Sequence, residues 1–246
     1  VTGRIYEDVS GTTLTGLAIE VTRKCNLNCD HCCRGESQDK SLNTKKLNTF
    51  LRKISWIDSI FLTGGECFIV PDTLQLIYNI LYKNKVGYTN IALVTNAVNV
   101  NDKSVEVIKK IFDLADGEGS YIHVSKDKFH GWDENREKNY IKLKSKFDDV
   151  SIDSGKDLKI LKMGKASEFG DIKPDRNEYP FDINWINVNN KMRVEIIGDM
   201  FFSINGTIHR DWEMTYKEID SGVGQIISIV PNFKQSDLIS EIRKLK

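Results

Sequence analysis

The chain has 246 residues, 40% of them hydrophobic, which is enough for one large domain with a buried core and short for two. Lys plus Arg and Asp plus Glu each number 35, so the formal net charge is zero. That balance gives none of the broad basic footprint of a nucleic-acid or anionic-membrane binder. No run reaches the roughly 18 apolar residues of a spanning helix, and residues 1–10 lack the charged-then-apolar pattern of a secretion signal, so a cytoplasmic protein without membrane partners is expected.

From Leu17 onward, short apolar runs alternate with longer amphipathic ones. Leu17 to Val21 reads as a strand. Asn43 to Ser55 reads as a helix, with Leu47, Phe50, Leu51 and Ile54 at helical spacing. Ile57 to Leu62 is a strand that runs into Thr63-Gly64-Gly65, and Asp72 to Lys83 a helix. Strands at Asn90 to Thr95, Tyr121 to Ser125 and Leu158 to Met163 alternate with helices at Asp102 to Leu114 and Glu134 to Phe147. This rhythm predicts βα units and a parallel sheet. After Gly170 it changes. Met192 to Ile197 and Met200 to Ile204 read as a hairpin turning at Gly198-Asp199. Asn205-Gly206 is a second turn, before Thr207 to His209, and Lys234 to Leu245 is a terminal helix. The expected fold is α/β: a partial (βα)6 barrel of parallel strands over residues 1–170, with a small C-terminal antiparallel hairpin and helix over 171–246 packed on it as a substrate cover.

Five cysteines occur, and four lie within nine positions: Cys25, Cys29, Cys32 and Cys33. Such a cluster suits a metal site better than a disulfide framework. Cys25, Cys29 and Cys32 follow the first strand in C-x3-C-x2-C spacing, at the strand end where parallel βα architectures place active sites. Three thiolates can hold three irons of a cubane and leave the fourth open to an exogenous ligand. The alternative is a structural zinc completed by His31, Cys33 or Cys67; adjacent ligands such as Cys32 and Cys33 would strain that chelate.

The segment from Val21-Thr22 through Cys25-Asn26-Leu27-Asn28-Cys29-Asp30-His31-Cys32 resembles the signature of the radical S-adenosylmethionine superfamily. In order down the chain, Gly64-Gly65-Glu66 is similar to the family's Gly-Gly-Glu motif. Val94-Thr95-Asn96, Val124-Ser125-Lys126-Asp127 and Gly164-Lys165-Ala166 are similar to its later strand-end segments. The resemblance covers about residues 14–170. It implies that Cys25, Cys29 and Cys32 ligate one 4Fe–4S cluster whose open iron is chelated by S-adenosylmethionine. Gly64, Gly65 and Glu66 would meet the cofactor's amino group, Asn96 and Ser125 would make polar contacts to it, and the backbone of His31 would lie near its adenine. Reductive cleavage then gives a 5′-deoxyadenosyl radical that abstracts hydrogen from substrate, with electrons from an external donor such as flavodoxin or ferredoxin. Cys67 stands where proline is common in the family and is a candidate hydrogen donor, against a plain buried hydrophobe. Asp127 and His130 are candidates facing substrate. Lys128, Trp185 and Trp212 are weighed against solvated-loop or packing roles, and His123 and His209 read as structural.

No cysteine follows Cys67 in this sequence, so the thiolate-bound auxiliary clusters of many peptide-modifying members are not expected within it. Phe202 to Tyr216 nevertheless resembles the hairpin of those extensions without its ligands. The leading expectation is modification of a residue in a peptide or protein substrate, by epimerisation or cross-linking. A glycyl-radical enzyme activase, an enzyme for a small metabolite or nucleoside, and a non-enzymatic zinc-binding module are the alternatives.

Overall fold

The computed structural model describes residues 9–127, 129–153, 160–173, 181–211 and 213–245. Lys128, Trp212 and residues 158–159 of the expected Leu158–Met163 strand lie outside them.

Strands β1 (Gly11–Thr22), β2 (Trp56–Gly64), β3 (Gly87–Thr95), β4 (Tyr121–Ser125) and β5 (Val150–Asp153) alternate with helices α1 (Thr44–Leu51), α2 (Pro71–Asn84), α3 (Asp102–Phe112) and α4 (Glu134–Lys144). Each strand pairs in parallel with its predecessor. Parallel neighbours joined by helices are right-handed βαβ units. With every step in one direction, the four helices cover one face of the sheet. Leu47, Phe50, Leu74, Ile77, Ile108, Ile111 and Leu143 from the helices pack there on Ile19, Ile60, Leu62, Ile91, Leu93 and Val124 from the strands. The helix starts are fixed locally. The side chains of Asn43, Asn101 and Asp133 each accept from the backbone N–H three residues on.

The C-terminal strands are β6 (Asp182–Val188), β7 (Lys191–Phe202), β8 (Thr207–His209) and β9 (Gln225–Ser228), with helices α5 (Tyr216–Asp220) and α6 (Gln235–Arg243). They continue the same sheet, in the order β5-β4-β3-β2-β1-β7-β8-β9, with β6 on β7. Two expectations are corrected here. The hairpin expected at Gly198-Asp199 does not exist: Lys191–Phe202 is one strand, parallel to β1 along both halves. Gly198-Asp199 is a bulge. Gly198 has φ +121°, its N–H donates to Thr15 Oγ1 at 2.9 Å and its carbonyl accepts from the same hydroxyl at 3.2 Å. A strand can absorb one extra residue this way without turning. The actual turn is Asn189-Asn190, both at positive φ, joining β6 to β7 as a two-residue hairpin loop does. Secondly, among the described residues of the expected Leu158–Met163 strand, Leu161 makes an isolated bridge to Ile172 and none pairs with β5. The place of a sixth parallel strand is taken by β7, on the opposite side of β1. The short Val150–Asp153 strand was not expected at all.

Candidate functional site

β1 ends at Thr22, and α1 does not begin until Thr44. The intervening loop carries the cysteines. Its base is zipped by Arg23 N–H to Lys40 O (2.9 Å), Gln38 N–H to Arg23 O (3.0 Å) and Leu42 N–H to Val21 O (3.1 Å), so the excursion projects from the C-terminal edge of the sheet as a closed unit. Cys25 N–H donates to Ser37 Oγ at 2.9 Å, and Cys32 N–H to Cys29 O at 3.2 Å.

Three other segments clamp this loop. The end of β2 lies flush against it, with Gly65 N–H donating to Thr22 O (2.7 Å) and Glu66 N–H to Lys24 O (2.8 Å). This closeness explains the glycine pair. A Cβ on Gly64 or Gly65 would fall under 3.0 Å from the backbone of Thr22 or Lys24 respectively. Below the loop, a Cβ on Gly164 would strike the carbonyls of Cys32 and Cys33, and Lys165 N–H donates to Cys32 O at 3.0 Å. From the C-terminal side, Arg34 Nη1 donates to Met214 O (2.8 Å) and Tyr216 N–H to Arg34 O (2.9 Å).

These segments enclose a cavity of about 310 Å3 whose walls include Cys25, Cys29, Cys32, His31, Gly64, Gly65, Glu66, Asn96, Ser125 and His130. Ten of the twelve residues singled out from sequence therefore converge. The other two do not line it. Cys67 is buried in the single helical turn Cys67–Ile69, with its thiol 3.8 Å from Thr63 O, and Asp127 lies behind His130. Arg34, Thr95 and Tyr216 also line the cavity. Of these, Thr95 and Tyr216 sit inside segments the sequence flagged, whereas Arg34 carried no signal.

The side chain of Glu66 accepts three hydrogen bonds. Oε1 accepts from Phe68 N–H (3.0 Å) and Thr95 Oγ1 (2.9 Å), and Oε2 from Asn96 N–H (2.8 Å). Burial pushes its pKa up, against the pull of those three bonds. Glu66 thus locks the end of β3 to the end of β2. Asn96, held by this lock, donates from Nδ2 to Asn26 Oδ1 at 2.9 Å in the cysteine loop.

The cysteines are free thiols. Burial, then the nearby Glu66 and Cys32, pushes Cys25 up. Burial, then Cys25 and Cys32, pushes Cys29 up to about 11. Cys25 and Cys29 are thus held toward the thiol form, and a cationic centre at the triad would favour their thiolates. This donor set fits an iron–sulfur cubane with one iron left open to the cavity. Cys33, beside them, is also pushed up, mainly by burial.

A buried ion network supports the strand end. Arg23 is fully buried and pairs with Glu20 (3.0 Å) and Asp220 (2.9 Å) while its guanidinium stacks 4.5 Å over the Tyr216 ring. His209 is buried and satisfied, by Thr207 Oγ1 at Nε2 and Val223 O at Nδ1. His123 pairs with Ser151. Trp185 is exposed against Arg243 in a separate groove.

Residues 19–129 match the family described as the Radical SAM superfamily. Among curated proteins, the GTP 3′,8-cyclase of Clostridium botulinum is 32% identical over 110 residues, covering 42% of this chain and 34% of the cyclase. Molybdenum cofactor biosynthesis protein 1 of Homo sapiens is 32% identical over 100 residues, covering 38% and 15%. The chain thus spans about a third or less of the length of these relatives. Among solved structures, native anSMEcpe with bound AdoMet and Cp18Cys peptide aligns with a TM-score of 0.43 and 15% identity, over 57% of this chain and 42% of that one. That likeness is too distant to carry an argument about function.

Proposed function

We propose, from the premise that residues 19–129 are a radical S-adenosylmethionine domain, that this chain is an enzyme that abstracts hydrogen from a residue in a peptide substrate. A 4Fe–4S cluster held by Cys25, Cys29 and Cys32, with S-adenosylmethionine on its open iron, would supply the one-electron radical chemistry. The observation that carries the reading is the convergence of Cys25, Cys29 and Cys32 with Gly64, Gly65, Asn96 and Ser125 on one cavity.

In this reading the three cysteines hold the cluster, and the Gly64-Gly65 backbone accepts from the cofactor's amino group, where no side chain stands in the way. Asn96 and Ser125 offer polar groups to the cofactor, and the His31 backbone flanks its adenine. Glu66 lines the cavity and is held by Phe68, Thr95 and Asn96, with acceptor capacity left on Oε2 for the cofactor's amino group. His130 faces the cavity with Asp127 behind it and stands on the substrate side. Cys67, walled off from the cavity, is a packing residue. An external one-electron donor of the flavodoxin or ferredoxin type completes the system.

The peptide substrate is supported by the resemblance of Phe202 to Tyr216 to the hairpin of peptide-modifying members. A second reading, a nucleotide substrate, is favoured by the cyclase relatives, although the match covers only about a third of their length. Mass spectrometry separates the two. Reconstituted, reduced enzyme is incubated in deuterated water with short peptides encoded beside its gene, and in parallel with GTP. Epimerisation adds about one mass unit to a peptide and cross-linking removes two hydrogens. Cofactor cleavage with every peptide unchanged and GTP converted would replace the first reading by the second.

A further inference from the structure

A second group of metal-ligand side chains stands at the rim of the same cavity, apart from the cysteines. One ligand atom from each of His31, Asp127 and His130 lies within 4.8 Å of the other two. The loop after β4 builds this arrangement. Asp127 Oδ1 accepts from the backbone N–H groups of Phe129 (2.8 Å) and His130 (3.0 Å), which fixes the carboxylate and turns Oδ2 toward both imidazoles. Oδ2 is 2.5 Å from His130 Nδ1 and 3.9 Å from His31 Nε2. The rings are held in turn. Phe129 stacks on His31 with centroids 4.5 Å apart, and His130 meets His31 edge-on at 4.8 Å. Arg136 donates to the carbonyls of His130 and Gly131 and buttresses the turn.

The plain alternative is a single Asp127–His130 hydrogen bond with His31 as packing. That alternative leaves His31 Nε2 3.9 Å from the same oxygen, too long for a hydrogen bond. Two ligands on one tetrahedral zinc lie about 3–3.5 Å apart, so an ion would draw His31 in and open the 2.5 Å Asp127–His130 contact, both small side-chain movements. Two imidazoles and one carboxylate are the donor set of open zinc and ferrous sites, and the hydrogen-bonded Oδ1 is the kind of outer support such ligands carry.

We propose that His31, Asp127 and His130 form a second metal site, separate from the cysteine triad, that takes one divalent ion of the zinc or ferrous class and leaves a coordination position open to the cavity for an oxygen or nitrogen donor of the substrate. Ligation through Nδ1 of His130 needs that nitrogen free of hydrogen, as in the tautomer with its N–H at Nε2. The proposal rests on these three side chains alone, so it stands or falls independently of the cluster.

The test uses Co2+ as a spectroscopic probe in a chain carrying Cys25→Ala, Cys29→Ala and Cys32→Ala together, which cannot hold the cluster. About one equivalent should bind, with the visible bands of a four- or five-coordinate nitrogen and oxygen site and no thiolate charge transfer. Adding His130→Ala or Asp127→Ala should weaken binding at least about tenfold. Should circular dichroism show the triple variant unfolded, metal analysis of the reconstituted intact chain decides instead. Zinc should be found at about one per chain beside about four irons, and His130→Ala should lose the zinc and keep the iron. Absence of stoichiometric binding, undiminished binding in the His130 and Asp127 variants, or a cobalt spectrum with thiolate charge transfer would overturn the proposal.

Discussion

Gly65→Ala probes how the fold brings the glycine pair against the cysteine loop. Gly65 is not at positive φ, so alanine suits its backbone conformation and the whole effect is steric. The new methyl would stand under 3.0 Å from both the carbonyl carbon and oxygen of Lys24. These are backbone atoms that cannot swing aside as a flexible side chain would. Relief requires parting the end of β2 from the start of the loop. That strains or breaks the bonds from Gly65 N–H to Thr22 O and from Glu66 N–H to Lys24 O. Overpacking of this kind costs about 1–3 kcal/mol, and each of the two weakened bonds adds up to about 1 kcal/mol, so the loss should be about 1–5 kcal/mol. Urea unfolding of the anaerobic apo-protein measures it. Calorimetric titration of the reconstituted protein with S-adenosylmethionine should show affinity at least about tenfold weaker, since the carbonyls that receive the amino group move with the strand. Gly119→Ala is the control: it sits at φ +89° with nothing within 4 Å of its Cβ, so it should lose some stability to backbone strain and leave cofactor affinity unchanged. A Gly65→Ala protein within about 0.5 kcal/mol of the parent, with normal cofactor affinity, would refute the reasoning.

The buried network gives two further predictions, and the fifth cysteine a third. Arg23→Met leaves Glu20 fully buried without its cation, and should cost about 3–5 kcal/mol in urea unfolding; Glu20→Gln added to it should recover part of that loss, and no recovery would mean that Arg23 acts through packing. Asp220 is held below the usual carboxylate range, because the hydrogen bond and charge of Arg23, then Lys40, outweigh the opposing effect of burial. A depressed folded-state value means that its contribution is complete above the unfolded value near 3.8 and is lost as pH falls through the folded one. Asp220→Asn should therefore lower stability at neutral pH and flatten the acid limb, and an acid limb identical to the parent's would contradict the pairing. Cys67→Ala should keep full iron content and cofactor cleavage while losing about 1 kcal/mol of stability; loss of substrate conversion in a stable, iron-replete variant would restore the thiol as a hydrogen donor.

The βα body was legible because its helices bury single stripes, such as Leu74, Ile77 and Leu81, and its strands are apolar runs closed by turn residues. What escaped depended on partners distant in sequence. Gly198-Asp199 looks like a turn in isolation, and becomes a bulge only because Thr15, 183 residues away, offers its hydroxyl to both sides of Gly198. Asn189-Asn190, the true turn, lacks the glycine that usually marks one. Val150–Asp153 is too short to show periodicity, and is a strand because β4 offers it an edge. In the site, spacing alone exposed the cysteine triad, and the glycine pair is explained by backbone closeness. Only part of the Glu66 environment is local: it caps its own turn through Phe68 N–H, while its other two donors come from Thr95 and Asn96 at the end of β3. Likewise, nothing local to Arg34 signals that Met214 and Tyr216 fold back onto it.

The central claim is that Cys25, Cys29 and Cys32 hold a cluster with one iron free to take S-adenosylmethionine. Electron paramagnetic resonance of the reduced, reconstituted chain, recorded before and after adding the cofactor, tests this most directly. The account predicts about four irons and four sulfides per chain, a reduced-cluster signal that shifts on adding the cofactor, and loss of that signal in the triple alanine variant. A signal indifferent to the cofactor, or a protein that takes up zinc at the triad and no iron, would contradict it.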